Sequence, residues 1–486
     1  MRPAVIPNQT DTASSVRPSV RVRQLFPWLD RIALRQVVLV AALALALRLV
    51  LFVIDPTPLF TTDSSTYLWT SRSFELPYVR PVGTGYFYRM VLFVINDLRA
   101  LVAAQAGLGV LTTALAYLLA RETGIRGRSA VVAAMVVSVA PSTLLFERTM
   151  HGETLAVFLT ALTLLLVSVA LRSERPLSWL WVGLAAVGAY FVRTAMLSLL
   201  LSALVVLVLW WKVPRKRRLV ASLVLIGGFV GPTLVYASAM AYQTRDLSGG
   251  PYFGVTHFDG ASIYPLVADA TDCDEPSRPP PLRAALCTGP PAPEGDPLAV
   301  IWAGPVQEAV VRLDWPPVNA ELRQLAIEAI VRDPWDYVVQ AFRGIPALFG
   351  PHDLGHLLTY AANPADVGLG EFVSGSFPRT YDFPGPGSVS PYSHALSSWY
   401  RFRWVLGIGV LGATLCALFT KKDTPPTARL VILYPLVSVT MLCLVTITSP
   451  RIGYPLELAS VLASAWMIDL LHQGAAKRWS RTDGTG

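Results

Sequence analysis

Charge is what this sequence has least of. Only 15% of its 486 residues are Asp, Glu, Lys or Arg, while 53% are apolar. A water-soluble domain with that balance would expose a largely apolar surface, so a soluble fold is excluded. Lysine is scarcer still: the chain has five, at 212, 216, 421, 422 and 477, and none between Tyr242 and Arg401. A cleaved secretory signal is missing too, because the basic first forty residues lead into a full-length apolar run rather than a short one with a cleavage site. No internal repeat is evident. The net charge of +8 does not point to nucleic acid, since the basic residues sit in short patches between apolar runs.

The apolar residues are gathered into segments long enough for a helix to cross hydrocarbon. About ten spans are predicted: Val37–Ile54, Leu101–Ala120, Ala130–Phe146, Leu155–Leu171, Leu177–Val192, Leu197–Trp211, Leu219–Ala241, Trp404–Phe419, Leu430–Ile447 and Leu456–Leu471. The run Tyr86–Ile95 is too short to cross and reads as a helix along the membrane surface. With the N-terminus inside, all five lysines fall in inner loops or the C-terminal tail, so the lysine-free insert is expected outside. The expected architecture is all-α and polytopic. It comprises a cytoplasmic segment 1–36, an N-terminal bundle 37–241 with its first external loop 55–100, an external insert 242–403, C-terminal spans 404–472 and a cytoplasmic tail 473–486.

Cys416 and Cys443 fall within spans and read as small packing residues. Cys273 and Cys287 share the insert and flank Pro279–Pro281, so a disulfide is expected there, worth about 3 kcal/mol for a loop of that size. Loop composition at both ends of the insert predicts a small, mainly irregular domain. Its centre, Ala320–Phe349, reads as helix, with Leu322, Leu325, Ile330, Val339 and Phe342 near one-face spacing and a break at Pro334.

Four connections deliver ionisable groups to the outer face. They carry Asp55 and Asp63, then Glu147, Arg148, His151 and Glu153, then Arg193, and finally Arg451 with Tyr454. Transfer from a lipid phosphate needs such a set: a carboxylate to take the proton of an attacking hydroxyl, and arginines to hold charge on the phosphate. Other readings of the same residues stay open. Asp63 could cap a helix, Arg193 and Arg451 could anchor at headgroups, and Trp69, Tyr67 and Tyr86 could be interface aromatics. His151 alone signals little, and a zinc site would need more nitrogen or sulfur ligands nearby.

In order and sidedness these motifs resemble the GT-C membrane glycosyltransferases, in particular the protein O-mannosyltransferase and lipid A aminoarabinose-transferase group. Asp63 with Tyr67 matches the first-loop motif, and Arg80-Pro81-Val82-Gly83 with the aromatics up to Tyr88 matches its Pro-rich segment and surface helix. Ala140-Pro141 and Arg148 with Glu153 match the step between spans three and four. Tyr190-Phe191-Val192-Arg193 matches an arginine at the outer end of a later span, and Arg451-Ile452-Gly453-Tyr454-Pro455 is similar to the signature opening the last helices, with shifted spacing. Where many relatives have an acidic pair, Asp63 is followed by Ser64.

The resemblance implies a GT-C-like bundle that moves a sugar from a polyprenyl-phosphate carrier to an external glycan, lipid or protein at a bacterial plasma membrane. Asp63 would be the general base and Arg193 and Arg451 would hold the donor phosphate. Tyr67 and Tyr454 would line the substrate site, and Arg148 with Glu153 would form an ion pair at its mouth, with substrate contact as their second role. A divalent metal is left open but not required. Two rival readings are a transporter or lipid flippase, for which the interruption Gly227-Gly228 and Pro232 would speak, and an inactive lipid-sugar-binding assembly subunit.

Overall fold

The computed structural model describes residues 31–73, 75–77, 79–173, 175–210, 212–246, 250–268, 301, 305–345, 348, 363–377, 383, 399, 403–420, 424–445 and 454–482. Arg451, Cys273, Cys287 and the basic residues Lys421 and Lys422 lie outside these residues.

A chain that crosses hydrocarbon must satisfy its backbone polar groups internally, and the apolar runs do so as helices. In chain order these are α1 (Arg31–Ile54), the short α2 (Ser64–Arg72) and α3 (Gly83–Val94), α4 (Leu98–Glu122), α5 (Gly127–Val139), α6 (Pro141–Phe146), α7 (Glu153–Ser173), α8 (Ser178–Val192), α9 (Leu197–Trp210) and α10 (Arg215–Gln243). The insert adds α11 (Asp259–Ile263), α12 (Pro305–Leu313), α13 (Trp315–Arg332), α14 (Pro334–Arg343) and α15 (Gly370–Ser376), and the bundle closes with α16 (Trp404–Phe419), α17 (Pro426–Val445) and α18 (Tyr454–Thr482). Among the described residues six helices are long and apolar enough to cross a membrane and four shorter ones are apolar, together the ten expected. The chain is an all-α, multi-pass membrane protein.

Several spans differ from expectation at their ends: α10 starts at Arg215 rather than Leu219, and α18 runs from Tyr454 to Thr482 rather than ending at Leu471. The third span is broken after Val139, because Pro141 lacks the N–H that would continue the ladder and instead opens α6. The outer faces of α1, α10 and α16 carry Val53, Val235 and Phe419, each at least 73% exposed, which is the surface a bilayer covers. The interior is packed around Trp179, Tyr117, Tyr434, Val182, Leu207 and Leu225. In α8, a Cβ on Gly183 would stand 2.5 Å from Leu225 O and 3.1 Å from Gly228 Cα, so α8 and α10 touch backbone to backbone there. Gly228 is thus a packing residue of a close helix crossing, the use small residues commonly have in membranes.

Charges are not confined to the helix ends. Arg48, 4% exposed, is buried within α1. Its Nη2 meets Glu147 Oε1 at 2.6 Å and its Nη1 donates to Ser138 Oγ at 2.9 Å and to Ala44 O at 3.1 Å.

The insert is more helical than its Pro- and Gly-rich borders predict. Its α13 starts at Trp315, ahead of Ala320, because Asp314 accepts from Trp315 N–H at 2.7 Å and two prolines occupy the first turn, where no N–H is needed. Leu322, Leu325 and Ala329 pack with Tyr264, Ile301 and Trp315 into a separate small core. Pro334 marks the expected break. Beyond it Ala341, rather than Val339 or Phe342, is the buried residue. Tyr337 donates to Leu444 O at the end of α17, and Ala341 joins the bundle core, so the insert is seated on the end of the bundle that carries Asp63.

Candidate active site

One isolated pair of backbone hydrogen bonds brings two distant connections together. Leu59 N–H donates to Arg148 O at 2.9 Å, and Met150 N–H donates to Leu59 O at 2.8 Å. This bridge fixes the α1–α2 connection against the α6–α7 connection. Gln105 of α4 secures the second of these, its Nε2 donating to Glu147 O and Thr149 O at 3.1 Å each. Tyr88 of α3 is hydrogen-bonded to His151 O at 2.9 Å and to Gln105 Oε1 at 3.1 Å.

The bridge places Asp63 beside His151. Asp63 makes no side-chain capping bond to α2; Ser64 Oγ takes the turn instead, accepting from Thr61 N–H at 2.9 Å. Asp63 is therefore free of the capping role the surrounding Thr and Ser suggest, and both its oxygens turn to other elements. Oδ1 meets Arg80 Nη2 at 2.5 Å, and Oδ2 lies 3.1 Å from His151 Nε2. On its other side His151 Nδ1 contacts Glu153 Oε2, and Glu153 Oε1 meets Arg193 Nη1 at 3.0 Å.

The result is one row of alternating groups, Arg80–Asp63–His151–Glu153–Arg193, drawn from the 73–82 link, the start of α2, the α6–α7 link, the start of α7 and the end of α8. Its middle is dry and its ends are open: Glu153 and His151 side chains are 0% and 4% exposed, against 14% for Arg193 and 20% for Arg80. Such a row sets two carboxylates between cationic ends in a low-dielectric mouth, where charge-assisted contacts count for more than they do in water.

Tyr67 stands over this row, its ring edge-on to His151 at 5.2 Å. Burial pushes its phenol up to about 12, with the Arg80 guanidinium pulling back and the Asp63 and Glu153 carboxylates adding to the rise. Trp69 and Tyr86, on α2 and α3, are exposed at the surface.

Three residues stand elsewhere than expected. Arg148 and Glu153 are drawn into different pairs: Arg148 Nη1 meets Asp55 Oδ2 at 2.7 Å and its Nη2 donates to Leu51 O at 2.8 Å, strapping the end of α1. Tyr454 is 2% exposed and belongs to the core, its hydroxyl 3.2 Å from Thr143 Oγ1 and its ring 4.6 Å from Phe146. These two partners pack against the start of α18, and neither is a member of the row. Three residues on, Glu457 pairs with Arg403 at 2.8 Å and accepts from Ser142 Oγ at 2.5 Å.

Sequence reasoning missed His151 and Arg80 as members of the site. A signal for His151 existed in its position between Arg148 and Glu153, but nothing in the sequence announces the bridge that carries it to Asp63. Among the described residues no group of three or more His, Cys, Asp or Glu side chains is arranged to hold a metal ion. The two ring nitrogens of His151 face carboxylates instead.

Residues 79–240 match the family "Dolichyl-phosphate-mannose-protein mannosyltransferase". Arg80, His151, Glu153 and Arg193 fall within that stretch, and Asp63 precedes it. Two solved structures from Archaeoglobus fulgidus are similar. One is the archaeal oligosaccharyltransferase AglB in complex with an inhibitory peptide and a dolichol-phosphate, at 13% identity and TM-score 0.48, covering 94% of this chain and 52% of that one. The other is the oligosaccharyltransferase tethered to an acceptor peptide, at 14% identity and TM-score 0.46, covering 92% and 50%. The chain thus spans about half the length of each. No curated protein sequence matches it.

Proposed function

We propose that this multi-pass membrane protein, a GT-C-type glycosyltransferase by the family signature of residues 79–240, moves a sugar from a polyprenyl-phosphate carrier to an acceptor at the outer side of a bacterial plasma membrane. The observation that carries the reading is the row Arg80–Asp63–His151–Glu153–Arg193 at one end of the bundle. The lipid-phosphate donor follows from the name of the matched family, and the outer side from the lysine-free insert seated at the same end.

In this reading the acceptor hydroxyl attacks the anomeric carbon of the sugar and gives its proton to an Asp63 oxygen. The bond from that carbon to the phosphate oxygen breaks, the electron pair leaves with the phosphate, and the configuration inverts. Asp63 has both oxygens engaged, but a carboxylate offers about four lone-pair sites and can accept from more than one donor per oxygen. Arg193, open at the far end of the row, meets the developing phosphate charge, with Arg451 as its expected companion. Glu153 aims Arg193 and seats His151, and Tyr67 covers the row as a neutral hydroxyl. The prenyl chain would lie against the apolar outer faces of the helices.

The feature that favoured a transporter has a packing explanation in the contact of Gly228 with α8, and Arg48 and Glu147 satisfy each other. The test is turnover in liposomes supplied with labelled polyprenyl-phosphate sugars and membrane acceptors. Release of one polyprenyl phosphate per sugar transferred is expected. Movement of intact donor across the bilayer would establish a flippase, and tight binding without cleavage would establish an assembly subunit; either contradicts the proposal.

A further inference from the structure

The family match ends at residue 240, yet a residue of the insert reaches the row. Arg80, whose Nη2 holds Asp63 Oδ1 at 2.5 Å, places its guanidinium carbon 5.1 Å from the centre of the Phe258 ring. That is cation–π distance. Phe258 is held in turn: its ring stacks on Trp315 at 5.6 Å with 16° between the planes, and Trp315 donates its ring N–H to His257 O. Beside it Asp259 is tied to α13 by Asn319 Nδ2 at 2.7 Å and Arg323 Nη1 at 3.1 Å. Val79, next to Arg80, packs against the same insert core. The 79–80 segment therefore rests on the insert, and Asp63 rests on Arg80.

We propose that Arg80 is a positioning residue through which the insert sets the geometry and charge state of Asp63: Phe258 seats the guanidinium, and the guanidinium seats the carboxylate. The inference rests on the transferase reading above. It gives the insert a part in the chemistry without requiring any of its residues to touch the donor. Anything that binds the insert and shifts Phe258 would be felt at Asp63, the kind of coupling an acceptor docked there would use.

The charged and titratable groups around Asp63 are Arg80 from the 73–82 link, His151 from the α6–α7 link and Tyr67 from α2. Glu153 of α7 and Arg193 at the end of α8 follow through His151. From the insert the facing residue is Phe258, which is uncharged, and Asp259 is turned to Arg323. Removing the Arg80 charge deprives Asp63 of a cation 2.5 Å away, which favours the protonated carboxyl.

The test is the pH–rate profile of the full chain in liposomes with a polyprenyl-phosphate sugar. For Arg80→Gln, kcat should fall about 10- to 100-fold, as misplacement of a reacting group does, with little change in donor KM. The acid limb should move up by about one pH unit. Arg80→Lys keeps the charge and should return the acid limb to its wild-type position while recovering only part of kcat. Phe258→Leu should act in the same direction by about two- to tenfold, and should add nothing in the Arg80→Gln background.

Wild-type profiles for Arg80→Gln and Phe258→Leu, with Asp63→Asn inactive, would overturn the coupling and leave the transferase reading standing. Full additivity of Phe258→Leu with Arg80→Gln would overturn it too, because the insert would then act by another route. If the wild type transfers nothing, the transferase reading fails and the contact is judged by melting temperature. Non-additive losses for the same two variants would support the Phe258–Arg80 link, and additive losses would refute it.

Discussion

Gly109 of α4 lies against the buried pair Arg48–Glu147, and replacing it by alanine tests that pair directly. A Cβ at this position would stand 1.8 Å from Glu147 Oε1 and 2.8 Å from Arg48 Nε, far inside contact distance. Either α4 withdraws or the carboxylate does. Withdrawal of a well-packed helix costs about 1–3 kcal/mol. Separating a buried pair costs more, about 3–5 kcal/mol when one partner loses the other. The cheaper route sets the loss, and withdrawal of α4 also strains the bond from Gln105, one turn before Gly109, to the Glu147 carbonyl at 3.1 Å, so a loss of about 3 kcal/mol is expected. Gly109→Ala should lower the melting temperature in detergent by roughly 5 °C. It should also impair turnover, since Glu147 opens the link that carries His151. In an Arg48→Met/Glu147→Ala background the space is vacated, and the same substitution should cost less than about 1 kcal/mol. An unchanged melting temperature for Gly109→Ala, or an equal loss in both backgrounds, would refute the reasoning.

Two further predictions concern a helix seam and a phenol. Gly183→Ala should destabilise by forcing α8 from Leu225 O, 2.5 Å from the new Cβ, whereas Gly188→Ala on the same helix, with Leu159 at 3.9 Å, should be neutral or gain up to about 1 kcal/mol from helix propensity. Thermal melting of the two variants side by side checks this, and equal effects would contradict it. Tyr67, pushed up to about 12 by burial, keeps its proton in the working range, and its contribution to stability is present below pH 10 and lost as pH rises through 12. Tyr67→Phe should leave the alkaline limb of the pH–rate profile in place, and a shifted limb would mean that Tyr67 ionises during the reaction.

The bundle was legible in the sequence because each of its ten helices is a continuous apolar run, a one-dimensional signal that needs no partner. Its pairings were not. Arg48 is visible inside the first span, but Glu147 lies 99 residues away, and only the packing of α1, α4 and α6 brings them together. Arg148 and Glu153 are close in sequence and opposite in charge, yet the broken third span turns Arg148 towards Asp55 and leaves Glu153 to His151 and Arg193. Asp63 was found through its motif, whereas its partners Arg80 and His151 lie 17 and 88 residues away, and a single β-bridge brings up the second. The helices of the insert were half-visible: the Pro334 break and the Leu322–Leu325 face could be read, while the Asp314 cap and Pro316-Pro317 disguised the start of α13 as loop.

The central claim is that Asp63 takes the acceptor proton, and Asp63→Asn tests it most directly. The amide keeps the size of the side chain and its place between Arg80 and His151, but it is no base. With a polyprenyl-phosphate sugar in liposomes, turnover should fall about 10²–10⁴-fold. Donor binding should change far less, because Arg193 remains, while Arg193→Ala should weaken donor binding together with turnover. Near-normal turnover by a well-folded Asp63→Asn protein would contradict the account.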